Sequence, residues 1–224
     1  MTRLANLSLD TLEDLPHPCR DCAFWELDQR AGADAGAVVD PGLEKEAWIS
    51  QTLLEWGSCG KLVYVDGIPA GYVIYAPPAY LPRAGAFPTG PASPDAALLT
   101  NAYVIPRFAG TGLGRLLVQG AAQDLGRRGL RALEAFGDAR GVAAGCVAPA
   151  GFYVAVGFKT VRPHPRYPRL RLELRGAQTG QAEGYALARL LGTVRQAGAV
   201  RSPVRVARNS RTSIEPVGTS DSTG

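Results

Sequence analysis

Val104-Ile105-Pro106-Arg107-Phe108-Ala109-Gly110-Thr111-Gly112-Leu113-Gly114-Arg115 decides how this chain is read. Apolar residues end what looks like a strand, a glycine-rich turn follows, and an amphipathic stretch begins. The first turn of a helix carries N–H groups with no partner and a partial positive charge, so it attracts anions. Glycines remove the Cβ atoms that would hold a phosphate away from the backbone. The segment therefore predicts a strand–turn–helix unit with an anion site at the helix start.

Working outward, the stretch before the turn, Ala97 to Ile105, reads as an apolar strand, and Gly112 to Arg128 as the helix. Leu113, Leu116, Leu117, Gly120 and Ala121 fall on one helical face. Leu130 to Phe136 is the next strand. Ala150 to Val156 is a short helix stopped by Gly157, and Phe158 to Val161 and Leu170 to Leu174 form a last strand pair. On the other side, Pro41-Gly42 opens a helix to Trp56, with Ile49, Leu53 and Trp56 as its stripe. Lys61 to Asp66 and Ile68 to Ala76 form a hairpin around Asp66-Gly67. Cys19 to Leu27 reads as a strand entry. Ala31 to Gly42 and the Pro/Gly-rich Pro77 to Pro94 read as loops, the second long enough to suggest a functional role. The order predicts an α/β (α+β) fold: a mixed, mostly antiparallel sheet with helices on both faces.

A domain over 1–175 and an extension over 176–224 are expected. The extension holds a helical stripe at Glu183 to Gln196 (Leu187, Leu190, Leu191, Val194). The Ser/Thr/Arg/Gly-rich run from Ala197 to Gly224 is expected to be disordered. The chain has 224 residues, 46% of them hydrophobic, enough for a sizeable core. The net charge of +4 is concentrated in the extension, where six arginines face three acids. The nearly neutral remainder argues against a nucleic-acid binder. No apolar run approaches the ~20 residues of a membrane helix. Met1 to Leu15 lacks the pattern of a secretory signal, so a cytoplasmic location is expected.

Three phosphate-binding loops compete for the glycine turn. A Walker loop needs Gly-Lys-Ser/Thr, which is absent. A dinucleotide loop needs Gly-x-Gly-x-x-Gly directly after the strand, with an acid ~20 residues on. Glu134 stands at that distance from Gly114. The glycines, however, are spaced Gly-x-Gly-x-Gly, and Pro106 to Ala109 intervene.

The third kind fits best. Val104, Pro106, Phe108, Gly110, Gly112, Leu113, Gly114 and Arg115 together resemble the acetyl-CoA motif of the GNAT superfamily of N-acetyltransferases. The run Gly151-Phe152-Tyr153-Val154-Ala155-Val156-Gly157-Phe158 is similar to the family's late helix. The resemblance covers roughly Lys61 to Leu174 and implies a splayed central strand pair. It implies acetyl-CoA as cosubstrate, its pyrophosphate held by backbone N–H groups of Gly110, Thr111, Gly112, Leu113, Gly114 and Arg115. The pantetheine arm pairs with Tyr103, Val104 and Ile105, and Arg115 adds a charged contact. Ala109 departs from the Gln or Arg usual there, which removes one side-chain contact.

The resemblance makes Tyr153 the proton donor to the departing sulfur, and puts an oxyanion donor near Tyr103 or Val104. Thr100 and Asn101 stand where many relatives carry a glutamate. Glu134 and Asp138 are the nearest carboxylates for a base acting through water. An amine-bearing acceptor, small molecule or protein, is the implied partner. That missing glutamate and Ala109 also suit a non-catalytic acyl-CoA-binding module. Turnover separates it from the enzyme, and NAD binding would reveal the dinucleotide alternative.

His17-Pro18-Cys19-Arg20-Asp21-Cys22 holds a Cys-x-x-Cys pair, and Cys59 precedes the hairpin. A structural zinc site would ordinarily show two such pairs. Cys19, Cys22 and Cys59 are expected close together as buried thiols, a metal site or a reversible disulfide. Cys146 is expected to be a core or loop residue.

Overall fold

The computed structural model describes residues 1–27, 40–141 and 146–174. The expected extension over 176–224, with its helix at 183–196, and most of the loop from Ala31 lie outside the described residues. Ten elements follow one another: β1 (Thr2–Asn6), α1 (Pro41–Glu55), β2 (Gly60–Val65), β3 (Ile68–Ala76), β4 (Ala96–Val104), α2 (Leu113–Arg127), β5 (Ala132–Phe136), α3 (Ala150–Ala155), β6 (Lys159–Arg162) and β7 (Arg169–Glu173).

The strands form one sheet in the order β1-β2-β3-β4-β5-β7-β6. Only β4 and β5 run parallel, joined through α2, as a crossover between parallel strands requires. The expected fold class holds. One strand is placed differently. Cys19 to Leu27 was read as a strand entry but forms turns, and β1 lies at Thr2–Asn6 instead. The apolar run at 23–25 serves the core in another way. Trp25 stacks on Phe87 with ring centroids 5.0 Å apart, and Phe87 on Phe136 at 4.4 Å. The Trp25 indole donates to the Cys146 carbonyl at 2.9 Å.

Local chemistry explains the element ends. Asp40 caps α1 by accepting from Gly42 N (2.8 Å), with Pro41 at the first helical position. Asp66 (φ 51°) and Gly67 (φ 82°) turn the β2–β3 hairpin. The Pro77 to Pro94 segment contains short 3-10 turns at Pro78–Tyr80 and Pro82–Ala86, and packs Leu81, Ala84 and Phe87 into the core side.

Each sheet face carries its own core. Trp48 and Ile49 of α1 cover Leu62, Tyr72, Ile74 and Leu98. Leu117, Val118, Ala121 and Leu125 of α2 cover Val63, Val73, Tyr75 and Leu133 on the opposite face. Beneath α1, Lys45 (1% exposed) makes a buried ion pair with Glu26. Arg128, just past α2, lies 3.6 Å over the Trp56 ring and donates to the Trp56 and Ser58 carbonyls. It thereby closes the end of α1. Among the described residues no helix is long and apolar enough to cross a membrane.

Candidate active site

The site begins where β4 leaves β5. Their pairing covers only Ala96↔Ala132, Ala97↔Leu133 and Leu98↔Glu134. Beyond Leu98, β4 follows β3 alone. Thr100 is an extra residue there: Leu99 faces Tyr75 and Asn101 faces Ile74. A bulge bends its strand and increases local twist. The Thr100 hydroxyl donates to the Ile74 carbonyl at 3.2 Å and holds it. Splaying leaves one backbone edge of β4 open.

The register shows which groups line that edge. Ile105 N–H donates to the Ala70 carbonyl at 2.9 Å, so it points at β3. N–H directions alternate along an antiparallel ladder. Tyr103 N–H therefore also points at β3, while Ala102 and Val104 N–H point into the gap. Of the two expected oxyanion donors, Val104 thus has its N–H toward the gap and Tyr103 has its N–H toward β3.

At the end of β4 the chain makes the glycine turn. Gly110 (φ 77°) and Gly112 (φ 85°) are both left-handed, a conformation that favours glycine. Thr111 Oγ1 fixes the turn by donating to the Phe108 carbonyl at 2.6 Å. Gly112 caps α2 without any side-chain cap bond. The N–H groups of Leu113, Gly114 and Arg115 are therefore the orphan donors of a helix start. A Cβ on Gly110 or Gly112 would meet nothing within 4 Å, so the cradle is open. Ala109, Thr111 and Arg115 are exposed around it.

The two sequence motifs converge in space. A Cβ on Gly114 would come within 2.8 Å of the Phe152 ring, so α3 packs directly on the first turn of α2. Arg115 donates to the Ala155 carbonyl at 2.6 Å. This bond clamps the two helices together through one guanidinium nitrogen. Tyr153 is 0% exposed, between Phe152 and Phe158 at ring distances of 5.4 and 5.3 Å. Its hydroxyl has no hydrogen-bond partner among the described residues. Burial raises its pKa above the ordinary value, so the phenol keeps its proton at neutral pH. An orphan buried hydroxyl costs ~1–3 kcal/mol, which a bound acceptor would offset.

The two candidate bases lie on and just after β5, each with arginine neighbours. Glu134 is 0% exposed, and both of its oxygens are occupied. Ser93 donates through its N–H (3.0 Å) and hydroxyl (2.6 Å), and Arg171 donates at 3.2 Å. Arg169 lies 3.5 Å away. Arg171 stands directly opposite Glu134 in the β5–β7 register. A carboxylate gripped this way anchors the strand. Asp138 accepts from the Arg140 guanidinium at 2.6 Å and from its N–H at 2.9 Å, which lowers its pKa to about 2. Ser93, Arg169 and Arg171 were not foreseen. Their signal was the alternation Arg169, Arg171, unreadable without the pairing register.

The cysteines regroup as well. Cys22 Sγ lies 2.9 Å from Cys146 Sγ. Cys59 is buried in the apolar cluster against which Cys19 and Cys146 also pack. The thiol touching Cys22 is that of Cys146, a residue outside the expected group of Cys19, Cys22 and Cys59. Among the described residues no three His, Cys, Asp or Glu side chains are grouped as a metal would need. His17 pairs with Asp21 at 2.8 Å, and His164 Nδ1 accepts from the backbone of Arg166 and Tyr167.

The model of the acetyltransferase (GNAT) family matches residues 13–158. No curated protein matches the sequence. An N-acetyltransferase from Staphylococcus aureus Mu50 superposes with a TM-score of 0.52 at 16% identity, over 78% of this chain and 99% of that one. The PaiA N-acetyltransferase from Thermoplasma acidophilum, in complex with coenzyme A, gives 0.46 at 15% identity, over 77% and 99%. The ribosomal-protein-S18-alanine N-acetyltransferase from Escherichia coli gives 0.43 at 17%, over 79% and 96%.

Proposed function

Because the chain belongs to the GNAT family of acetyltransferases, we propose that it moves an acetyl group from acetyl-CoA to an amine by direct attack, with both reactants bound together. The observation that carries this reading is the open glycine-lined start of α2 at the end of a β4 that has parted from β5. Bound acetyl-CoA would supply an activated thioester carbonyl. The backbone N–H groups from Gly110 to Arg115 hold its pyrophosphate through the helix-start field. The free edge of β4 from Tyr103 to Ile105 aligns the pantetheine arm as a strand would lie. Val104 N–H donates to the oxyanion that develops on attack, and the proton on Tyr153 Oη goes to the departing sulfur. Glu134 holds β5 in place through Arg169, Arg171 and Ser93, and the amine's proton leaves to water.

One observation favours a second reading, an acyl-CoA-binding module without turnover: both carboxylates at β5 are engaged by arginines. Release of CoA from acetyl-CoA, measured against a panel of amines, separates the two.

Tyr153→Phe tests the proton donor. Rate is expected to fall at least tenfold, because losing a general acid typically costs ~10²–10⁴. Acetyl-CoA affinity stays near the parent's. The melting temperature of the unliganded protein stays equal or rises, since the substitution removes an unpaired buried hydroxyl. An unchanged rate at saturating substrate would return Tyr153 to the core.

A further inference from the structure

Cys22 and Cys146 lie far apart in sequence, yet their sulfurs are 2.9 Å apart, in direct contact. Both side chains are half-buried, so a small oxidant reaches them. We propose that Cys22 and Cys146 are a redox modification site, oxidised by a hydroperoxide to a disulfide that ties the segment after β1 to the segment after β5. The proposal stands apart from the acetyl-transfer reading, and its test needs no substrate.

The surroundings assign the roles. The two thiols are in hydrogen-bond contact, and this contact lowers the Cys22 pKa while raising that of Cys146. The buried Lys45 ammonium adds to the lowering at Cys22, and its partner Glu26 partly opposes it. Cys22 is therefore the attacking thiolate. Cys19 packs against the apolar cluster that contains Tyr72. Cys59 is fully buried, and desolvation pushes its thiol up to about 12.

The step balances as follows. The Cys22 thiolate attacks the hydroperoxide, the O–O bond breaks, and an alcohol (water, for hydrogen peroxide) leaves with a proton from solvent. Cys22 is then a sulfenic acid. The Cys146 sulfur attacks it, the S–O bond breaks, and water departs with the Cys146 proton. Overall two thiols and one hydroperoxide give one disulfide, one alcohol and one water, with two electrons passing from sulfur to oxygen.

The test treats the reduced full-length chain with one equivalent of hydrogen peroxide, then alkylates and digests it. The proposal expects an intact mass lower by about 2 Da before alkylation, reversed by dithiothreitol. It expects one linked peptide pair containing Cys22 and Cys146, with Cys19 and Cys59 alkylated. The melting temperature rises by about 5–10 °C on oxidation, because the link spans most of the folded chain. In Cys146→Ser, dimedone labels Cys22. A Cys19–Cys22 link, or four alkylated thiols after peroxide, would overturn the site. Apart from the dimedone label, these outcomes are read on the unmutated chain, so a variant that fails to fold does not affect them.

Discussion

Gly112→Asp is expected to weaken acetyl-CoA binding by about 100-fold or more, while the protein stays folded. Two features make the outcome separable. Gly112 is left-handed (φ 85°), and a Cβ there meets no protein atom within 4 Å. Asp and Asn are the side chains that best tolerate this conformation, so the backbone strain stays small. The added carboxylate instead occupies the space reserved for the pyrophosphate and repels it. Gly112→Asn has nearly the same shape without the charge, so it should lose distinctly less. Calorimetry on the three proteins, with melting curves alongside, checks this. Equal affinity of Gly112→Asp and the parent would mean that the phosphates bind elsewhere.

Glu134→Gln should act on stability before chemistry. The substitution leaves Arg169, itself 8% exposed, beside a neutral amide. Arg171 keeps Asp95 at 3.0 Å on both guanidinium nitrogens, so its loss is partial. Breaking a buried pair on one side typically costs ~3–5 kcal/mol, which lowers the melting temperature by roughly 10 °C or more. The rate at a temperature where the variant is folded should stay within about tenfold of the parent's, short of the ~10²–10⁴ for losing a base. Arg169→Met in the same chain should restore part of the stability, because it removes the uncompensated cation. A stable Glu134→Gln with a hundredfold slower rate would make Glu134 the base after all.

The parts of this fold legible in sequence were those written in neighbouring residues. The glycine turn, the stripe of α2, the Asp66-Gly67 hairpin and the α3 motif all lie within one window, and each appears where its pattern puts it. What depends on pairing between distant strands was hidden. Glu134 looks like a candidate base until β7 places Arg171 opposite it. Cys146 looks incidental until the segment after β5 meets Cys22. Cys19 to Leu27 has the composition of a strand, but Trp25 is buried as a plug stacked on Phe87 and Phe136. The five residues of β1 carry no alternation strong enough to mark an edge strand.

The central claim is that the free edge of β4 and the start of α2 hold acetyl-CoA by their backbone amides. Backbone amide NMR of the chain titrated with acetyl-CoA tests it most directly. The account predicts that the largest shifts fall on Gly110 to Arg115, with a second group at Ala102 and Val104 and little change at Tyr103, whose N–H points at β3. Saturating acetyl-CoA that leaves those amides unmoved, or moves a different surface, would contradict it.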